Sequence, residues 1–441
     1  IGYYHQCLLE YYGPVIVVKK FIPIDAPEEE IFVPRTPYDD CVKFIADCYD
    51  KAAGLLPETV VPAELGMPTK MAALSYKARL LLYAASPLVN GNPDYIGFNN
   101  PDGTPLMSTT YDPEKWKRAL DAAAAAIALA DEINPDTKKP KYDLYTSADS
   151  SLPDDERGRK NYHDTFVEEP WNGAEFILAK GAQSGIQALQ GYGGPRSIKG
   201  NMSKGWKTTL VPTMEAVEMY YTKNGLPLED DPLTKDADLY RVAPGDSTAL
   251  LHRNREPRFY ACIGFDRGTF EIDGTTITLK LRGGELHGST LKETDEYQSC
   301  TGYVCQKWIS RTSYYDKSLN TYTYTRYAYP YLRLAELYLS YAEADFEYNG
   351  SLSGKSLEYI NRVRRRCGLP DLRRWKEAPE VMNKQPRSWN RDAKTQDDFY
   401  QVIQAAQGGR VRVFESPKSY WLAIPLNQIN KNPQLVQNPG Y

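Results

Sequence analysis

The sequence predicts a mainly α fold, with tetratricopeptide-like helix pairs supporting a large loop-rich insertion that contains short strands. Three observations point there. Apolar residues recur at helical spacing in both end regions of the chain. Alanine occupies the close-contact positions of those helices, as in helical hairpins, although no strict 34-residue consensus is present. Between them the periodicity gives way to Gly, Pro, Ser, Thr and Asp. We read residues 1–441 as a single domain, with a helical scaffold over 1–141 and 330–441 and the insertion over 142–329.

The first amphipathic helix runs from Asp39 to Leu56, with Val42, Ile45, Tyr49, Ala52 and Leu56 on one stripe. The next spans Thr69 to Ser86 between Pro68 and Pro87. It is apolar almost all round, so it is expected to be buried, and Ala72, Ala73, Ala78, Ala84 and Ala85 let neighbours approach closely. Asp112-Pro113 supplies a cap and a first-turn proline for a helix through Trp116, Leu120 and Leu129. In the insertion, Phe270 to Leu281 reads as a hairpin turning at Asp273-Gly274. A late pair follows: Tyr331 to Phe346, then a helix through Leu357, Ile360, Val363 and Cys367, stopped by Gly368 and Pro370. The end, from Ile424 to Tyr441, carries two Asn-Pro steps and few apolar residues, so it is expected to lie extended, held by docking on the scaffold.

A net charge of -4 argues against a nucleic-acid binder, which would carry a basic field. No apolar run reaches the roughly 18 residues that span a bilayer. The chain opens at Ile1 without a Met, and we expect its true N-terminus to lie upstream. Seven Cys do not make a disulfide framework; Cys300 and Cys305 would pair only if they flank a turn. Tyr is abundant, 34 against 12 Phe, which suits half-wet surfaces as well as helix packing.

The sequence holds no Gly-x-Ser-x-Gly, no His-Glu-x-x-His and no phosphate loop. Glu336 and Glu343 share a helix face, but salt bridges to Arg333, Arg362 or Arg364 explain them better than paired catalysis. Asp230, Asp231, Asp236 and Asp238 are oxygen ligands of the type calcium uses, and a solvated acidic loop accounts for them more simply. Otherwise no cofactor is implied. Sugars present CH-rich faces and hydroxyl-rich edges, so their binders set aromatic rings beside Asn, Asp, Arg or Gln. The insertion supplies Trp171, Asn172, Tyr192, Arg196, Asn201, Trp206, Trp308, Tyr314 and Tyr315. Trp206, in the polar stretch Asn201-Met-Ser-Lys-Gly-Trp-Lys207, is the leading candidate for an exposed stacking platform.

An ordered succession of segments resembles the SusD/RagB family of Bacteroidota surface lipoproteins. These are Tyr12-Gly13-Pro14-Val15; Arg35-Thr36-Pro37-Tyr38 leading to Gly54-Leu55-Leu56-Pro57; Thr69 through Ser86-Pro87-Leu88-Val89-Asn90; and Pro212-Thr213 with Ala216-Val217-Glu218-Met219-Tyr220 and Asn224-Gly225. Then come Arg255-Glu256-Pro257-Arg258-Phe259, Tyr329-Pro330 to Glu343-Ala344, Ile360-Asn361-Arg362-Val363-Arg364, and the closing Gln437-Asn438-Pro439-Gly440-Tyr441. The resemblance implies a non-enzymatic binder of an oligosaccharide or polysaccharide. It would sit on the outer membrane through an N-terminal lipid anchor outside this chain and serve a SusC-like TonB-dependent transporter. A surface glycoside hydrolase and a peptide- or protein-binding helical adaptor are the alternatives. One departure stands out. The family places a helix between its Gly-Leu-Pro and Asp-Leu-x-Arg-Trp segments, whereas here Gly368-Leu369-Pro370 meets Asp371-Leu372-Arg373-Arg374-Trp375 directly. Either the helix is lost or residues are missing there; a lost helix would bare its neighbours' apolar faces, so a gap between Pro370 and Asp371 is the expectation.

Overall fold

The computed structural model describes residues 1–441 except 62–63, 65, 148, 150, 168–174, 182–183, 197–205, 207, 289–298, 317, 320, 373–386, 390–395, 397–399, 401 and 405–415. The chain forms two compact units: Ile1–Asp143 with Leu332–Ile360 and Arg412–Tyr441, and Leu144–Tyr331 with Asn361–Val411.

In the first unit, helices Tyr38–Leu55, Lys70–Ala85, Glu114–Asp131 and Leu334–Asn349 pack in neighbouring pairs. The Lys70–Ala85 helix lies between its neighbours, with all five of its alanines buried, and Ala85 meets Trp116, Ala119 and Ala344 in one cluster. The Thr69 hydroxyl accepts from the Ala72 N–H (3.3 Å) and starts that helix. Asp112 accepts from the Glu114 N–H (2.9 Å) at the head of the next. Gly350, at φ 68°, ends the Leu334–Asn349 helix in the left-handed conformation that glycine adopts without strain. Tyr338 then stacks on Tyr359 of the following helix (4.5 Å). Glu336 is not bridged to Arg333, Arg362 or Arg364: both its oxygens are held by Arg79, at 2.5 and 2.6 Å, across adjacent helices.

Arg35 is the main polar anchor of the C-terminal tail in this unit. The Arg35 guanidinium, 2% exposed, donates to the carbonyls of Pro14 (2.7 Å), Tyr12 (2.8 Å) and Val436 (3.1 Å) and to Asn438 Oδ1 (2.8 Å). Asn438 Nδ2 donates in turn to the Tyr12 and Leu422 carbonyls. Among the described residues no carboxylate pairs with Arg35, and burial pushes its pKa down to about 10. A lysine ammonium cannot reproduce this planar fork. Arg35→Lys should therefore cost about 3 kcal/mol or more by leaving buried carbonyls unpaired. Chemical denaturation checks this, and hydrogen exchange should show 432–441 losing protection first.

The second unit replaces long helices with short two-stranded ladders. Thr269–Ile272 pairs with Thr275–Thr278, and the turn residues Asp273 (φ 52°) and Gly274 (φ 63°) take the left-handed conformations that Asp-Gly supplies. The helices Asp154–Val167 and Pro257–Cys262 pack together. Gly158 admits the chain at Cys367, where an added Cβ would lie 2.5 Å from the backbone. A buried ion pair joins Arg366 to Glu175 (2.7 Å), and Glu175 also accepts from the Tyr145 N–H. Arg364 Nε donates to the Pro370 carbonyl (2.9 Å), Arg365 Nε to Asp371 (2.7 Å), and Asn361 bonds both ways with Leu372. These polar contacts hold residues 370–372 against the Gly354–Arg366 helix.

Two buried histidines sit in the core of this unit. His252 lies 2.7 Å from the Thr248 hydroxyl and 3.1 Å from the Tyr303 hydroxyl, enclosed by Phe259, Phe265 and Tyr400. His287 Nδ1 accepts from the Lys280 N–H (2.9 Å), a bond open only to the unprotonated nitrogen. Burial, with the neighbouring arginines, pushes His252 well down; burial, then Lys280, lowers His287 to about 4. A neutral histidine with a depressed folded pKa leaves stability unchanged above the unfolded value of 6.5 and reduces it as pH falls below that. The second unit should lose about 3 kcal/mol from His287 between pH 6.5 and 4. Denaturation series across that window check it, with His287→Gln flattening the slope.

Candidate ligand-binding face

The second unit gathers aromatic rings and hydroxyls around one buried amide. Gln190 lies near the end of the helix Ser184–Gly193 and is fully buried. Its Nε2 donates to the Thr325 carbonyl (2.8 Å), and its Oε1 accepts from the Ser310 N–H (3.1 Å) and the Ser313 hydroxyl (2.9 Å). Ser313 Oγ in turn accepts from the Thr325 N–H (3.0 Å). One side chain thus ties the helix that carries Tyr192 to the segment after Trp308 and to the ladder of Tyr314–Asp316 with Thr321–Thr323.

The register of that ladder sorts its tyrosines. Tyr314 pairs with Thr323 and Tyr315 with Tyr322, and alternate strand residues face opposite sides. Tyr315 turns inward and meets Tyr322 edge-on (5.3 Å). Tyr314 turns outward and is 44% exposed, on the same face as Thr323. Just beyond the ladder's end the hydroxyls of Thr312, Thr325 and the fully buried Ser310 form a chain, at 2.8 and 3.0 Å. Tyr192 is 40% exposed at the helix end. The result is an open aromatic ring bordered by donor–acceptor hydroxyls, the two kinds of group that a sugar's faces and edges need.

Trp308 is half-buried and engaged. It stacks on Tyr329 (5.3 Å), meets the edge of Phe166 (5.4 Å) and has the Lys307 ammonium 4.7 Å from its ring centre. Tyr331, 40% exposed, continues this row by an edge contact to Tyr329 (5.9 Å). Arg196 is half-buried. Trp171, Asn172 and Asn201 lie outside the described residues. Sequence reasoning did not single out Gln190, Thr312, Thr325 or Tyr331. The alternation Thr321-Tyr322-Thr323-Tyr324-Thr325 was the available signal for a strand with two unlike faces.

Trp206 is not an exposed platform. It is 2% exposed and belongs to the core, with Tyr322 and Tyr324 edge-on at 5.2 and 5.4 Å. Gly194 makes the room: a Cβ there would fall 1.6 Å from the indole. The chain beyond Trp206 is bonded back to the helix end, Thr208 Oγ1 to the Gly194 carbonyl (2.8 Å) and the Thr209 and Leu210 N–H groups to the Tyr192 carbonyl. Trp206 therefore supports the Tyr192 region from beneath. Trp206→Ala should cost about 3–5 kcal/mol of stability, read as a lowered denaturation midpoint.

The acidic residues considered for calcium also have local duties. Asp231 is fully buried; it accepts from the Thr222 hydroxyl, the Leu233 N–H (2.8 Å) and Asn224 (3.3 Å). Burial alone would raise its pKa, but these bonds outweigh it and hold the carboxyl below its usual range. Among the described residues, no group of three or more His, Cys, Asp or Glu is placed to hold a metal ion. All seven cysteines are unpaired, Cys300 and Cys305 among them.

The family profile described as the SusD family matches residues 174–372 and 370–441. Its two segments overlap at Pro370–Leu372. Among solved structures, the chain is similar to the protein named BT4246, at 26% identity and a TM-score of 0.82, covering 100% of this chain and 82% of that one. It is similar in fold to BF3747, a SusD-like protein from Bacteroides fragilis, at 20% identity and a TM-score of 0.68, covering 100% of this chain and 78% of that one. It is likewise similar in fold to BF0978, a SusD-like carbohydrate binding protein from Bacteroides fragilis, at 19% identity and a TM-score of 0.65, covering 99% and 78% respectively. No curated protein matches the chain.

Proposed function

We propose that this chain, which belongs to the SusD family, captures an oligosaccharide or polysaccharide at the cell surface and passes it to a SusC-like TonB-dependent transporter without cleaving it. The observation that carries the reading is the outward ring of Tyr314 set beside the hydroxyls of Thr312, Thr323 and Thr325. A sugar ring stacks its CH face on the phenol while its hydroxyls meet the threonines. Family membership and the fold shared with a carbohydrate binding protein support the same ligand class. Attachment to the outer membrane through an N-terminal lipid anchor follows from the family reading. No helix among the described residues is long and apolar enough to cross a membrane.

Binding of this kind needs no cofactor and no nucleophile. Of the two carboxylates weighed as a pair, Glu336 is held by Arg79 through both oxygens. Glycan-array screening followed by calorimetry tests the proposal. Tyr314→Ala should weaken binding by about 1–3 kcal/mol with little change in stability. The bound oligosaccharide should keep its length through prolonged incubation. Affinity for no glycan, or unchanged affinity in the Tyr314 variant, contradicts the reading. Steady product formation abolished by removing one carboxylate supports a hydrolase instead.

A further inference from the structure

The Gly2–Tyr12 helix is followed by an arm that is braced at its base and bare at its tip. The Val17 N–H donates to Thr36 Oγ1 (3.3 Å) and the Thr36 N–H to the Val15 carbonyl (2.9 Å), so the two ends of the arm meet. Midway, Lys20 bridges to Glu30 (2.7 Å). Pro23 and Pro27 restrict the backbone, and the Ala26 N–H closes a turn on the Pro23 carbonyl (3.1 Å). At the tip Phe21 is 87% exposed and Ile24 101%, the two most exposed large apolar side chains among the described residues. Val18 on the way in and Ile31 on the way out are exposed as well. Apolar side chains held out on a braced arm mark a contact surface.

The chemistry of the tip selects its partner. Phe21-Ile22-Pro23-Ile24 carries no polar side chain, so a sugar stacked on Phe21 would find no side-chain partner for its hydroxyls there. Charge disfavours an anionic lipid surface, which attracts cations. With Lys20 and Glu30 neutralising one another, the arm is left with Lys19 against Asp25, Glu28 and Glu29. An apolar socket on a protein, rimmed by Lys or Arg, suits both the tip and its acidic shoulder. We propose that this arm, residues 17–36, is a docking element that inserts Phe21 and Ile24 into such a socket on the transporter. This rests on the reading that the chain serves a SusC-like transporter. Bracing at the base and at Lys20–Glu30 leaves little order to be gained on docking. The arm lies in the first unit, whereas the glycan face is built in the second.

The test uses the full-length lipidated protein in its native membranes. Phe21→Ser with Ile24→Ser removes the apolar tip and alters only exposed residues. After mild detergent extraction, this double variant should retain about tenfold less of the TonB-dependent barrel, identified by mass spectrometry, than the unaltered protein. Its melting temperature and its oligosaccharide affinity should not change. Glu28→Lys with Glu29→Lys keeps the tip and should also weaken retention, and raised salt should weaken that of the unaltered protein. Undiminished retention by the Phe21 and Ile24 variant overturns the inference and leaves the transporter reading intact. Failure of the unaltered protein to retain any barrel overturns both. A lowered melting temperature with undiminished retention shows the tip covered by another part of the same chain. Flotation of the protein, freed of its lipid anchor, with phosphatidylethanolamine–phosphatidylglycerol vesicles, lost in the same variant, shows a lipid surface instead. Either result overturns the proposal.

Discussion

Arg35 is the residue on which the first unit depends. A buried guanidinium is costly unless its donors find acceptors. Here four bonds serve it: to the carbonyls of Tyr12, Pro14 and Val436 and to the Asn438 side chain. Those bonds join three stretches, the arm that follows the Gly2–Tyr12 helix, the lead into the Tyr38–Leu55 helix, and the distant tail. The tail has too few apolar residues to hold itself, so its order is borrowed from this site and from Trp421, which stacks on Tyr95. Even the Arg35 carbonyl is occupied, accepting from Asn100 Nδ2 (2.8 Å).

The second unit follows another logic. Its ladders are too short to be stable alone, and isolated two-stranded ribbons are marginal in water. They are held by buried polar side chains that bond backbone: Gln190 under the candidate face, His252 and Thr248 in the core, and Arg255, which donates to the carbonyls of Leu251, Val217 and Tyr220. Such a scaffold keeps its outer surface free for recognition, since the residues that fix the loops point inward. Tyr314 can then be exposed without being needed for folding, while Trp206 beneath is needed for folding and is not exposed.

The helical fold was legible because its signals are local. Proline boundaries, alanine spacing and the Asp-Gly turn each act within a few residues, and the structure has them in place. The candidate face was less legible because its geometry is not local. Trp206 reads as a loop residue beside lysines and glycines, but it is buried by Gly194, Tyr322 and Tyr324, which come from distant points of the chain. Tyr314 and Tyr315 are indistinguishable in sequence; only the pairing with Thr323 and Tyr322 decides which ring faces out. The resemblance located Arg35 within a motif, yet its bond to Asn438 spans 403 positions and no periodicity announces it.

The central claim is that glycan recognition belongs to the second unit and not to the first. Hydrogen exchange with and without a saturating oligosaccharide tests it most directly. The account predicts added protection confined to the segments around Tyr192 and from Trp308 to Tyr331, with residues 1–143 unchanged. Protection appearing only in residues 1–143, or none in the segment bearing Tyr314, would contradict it.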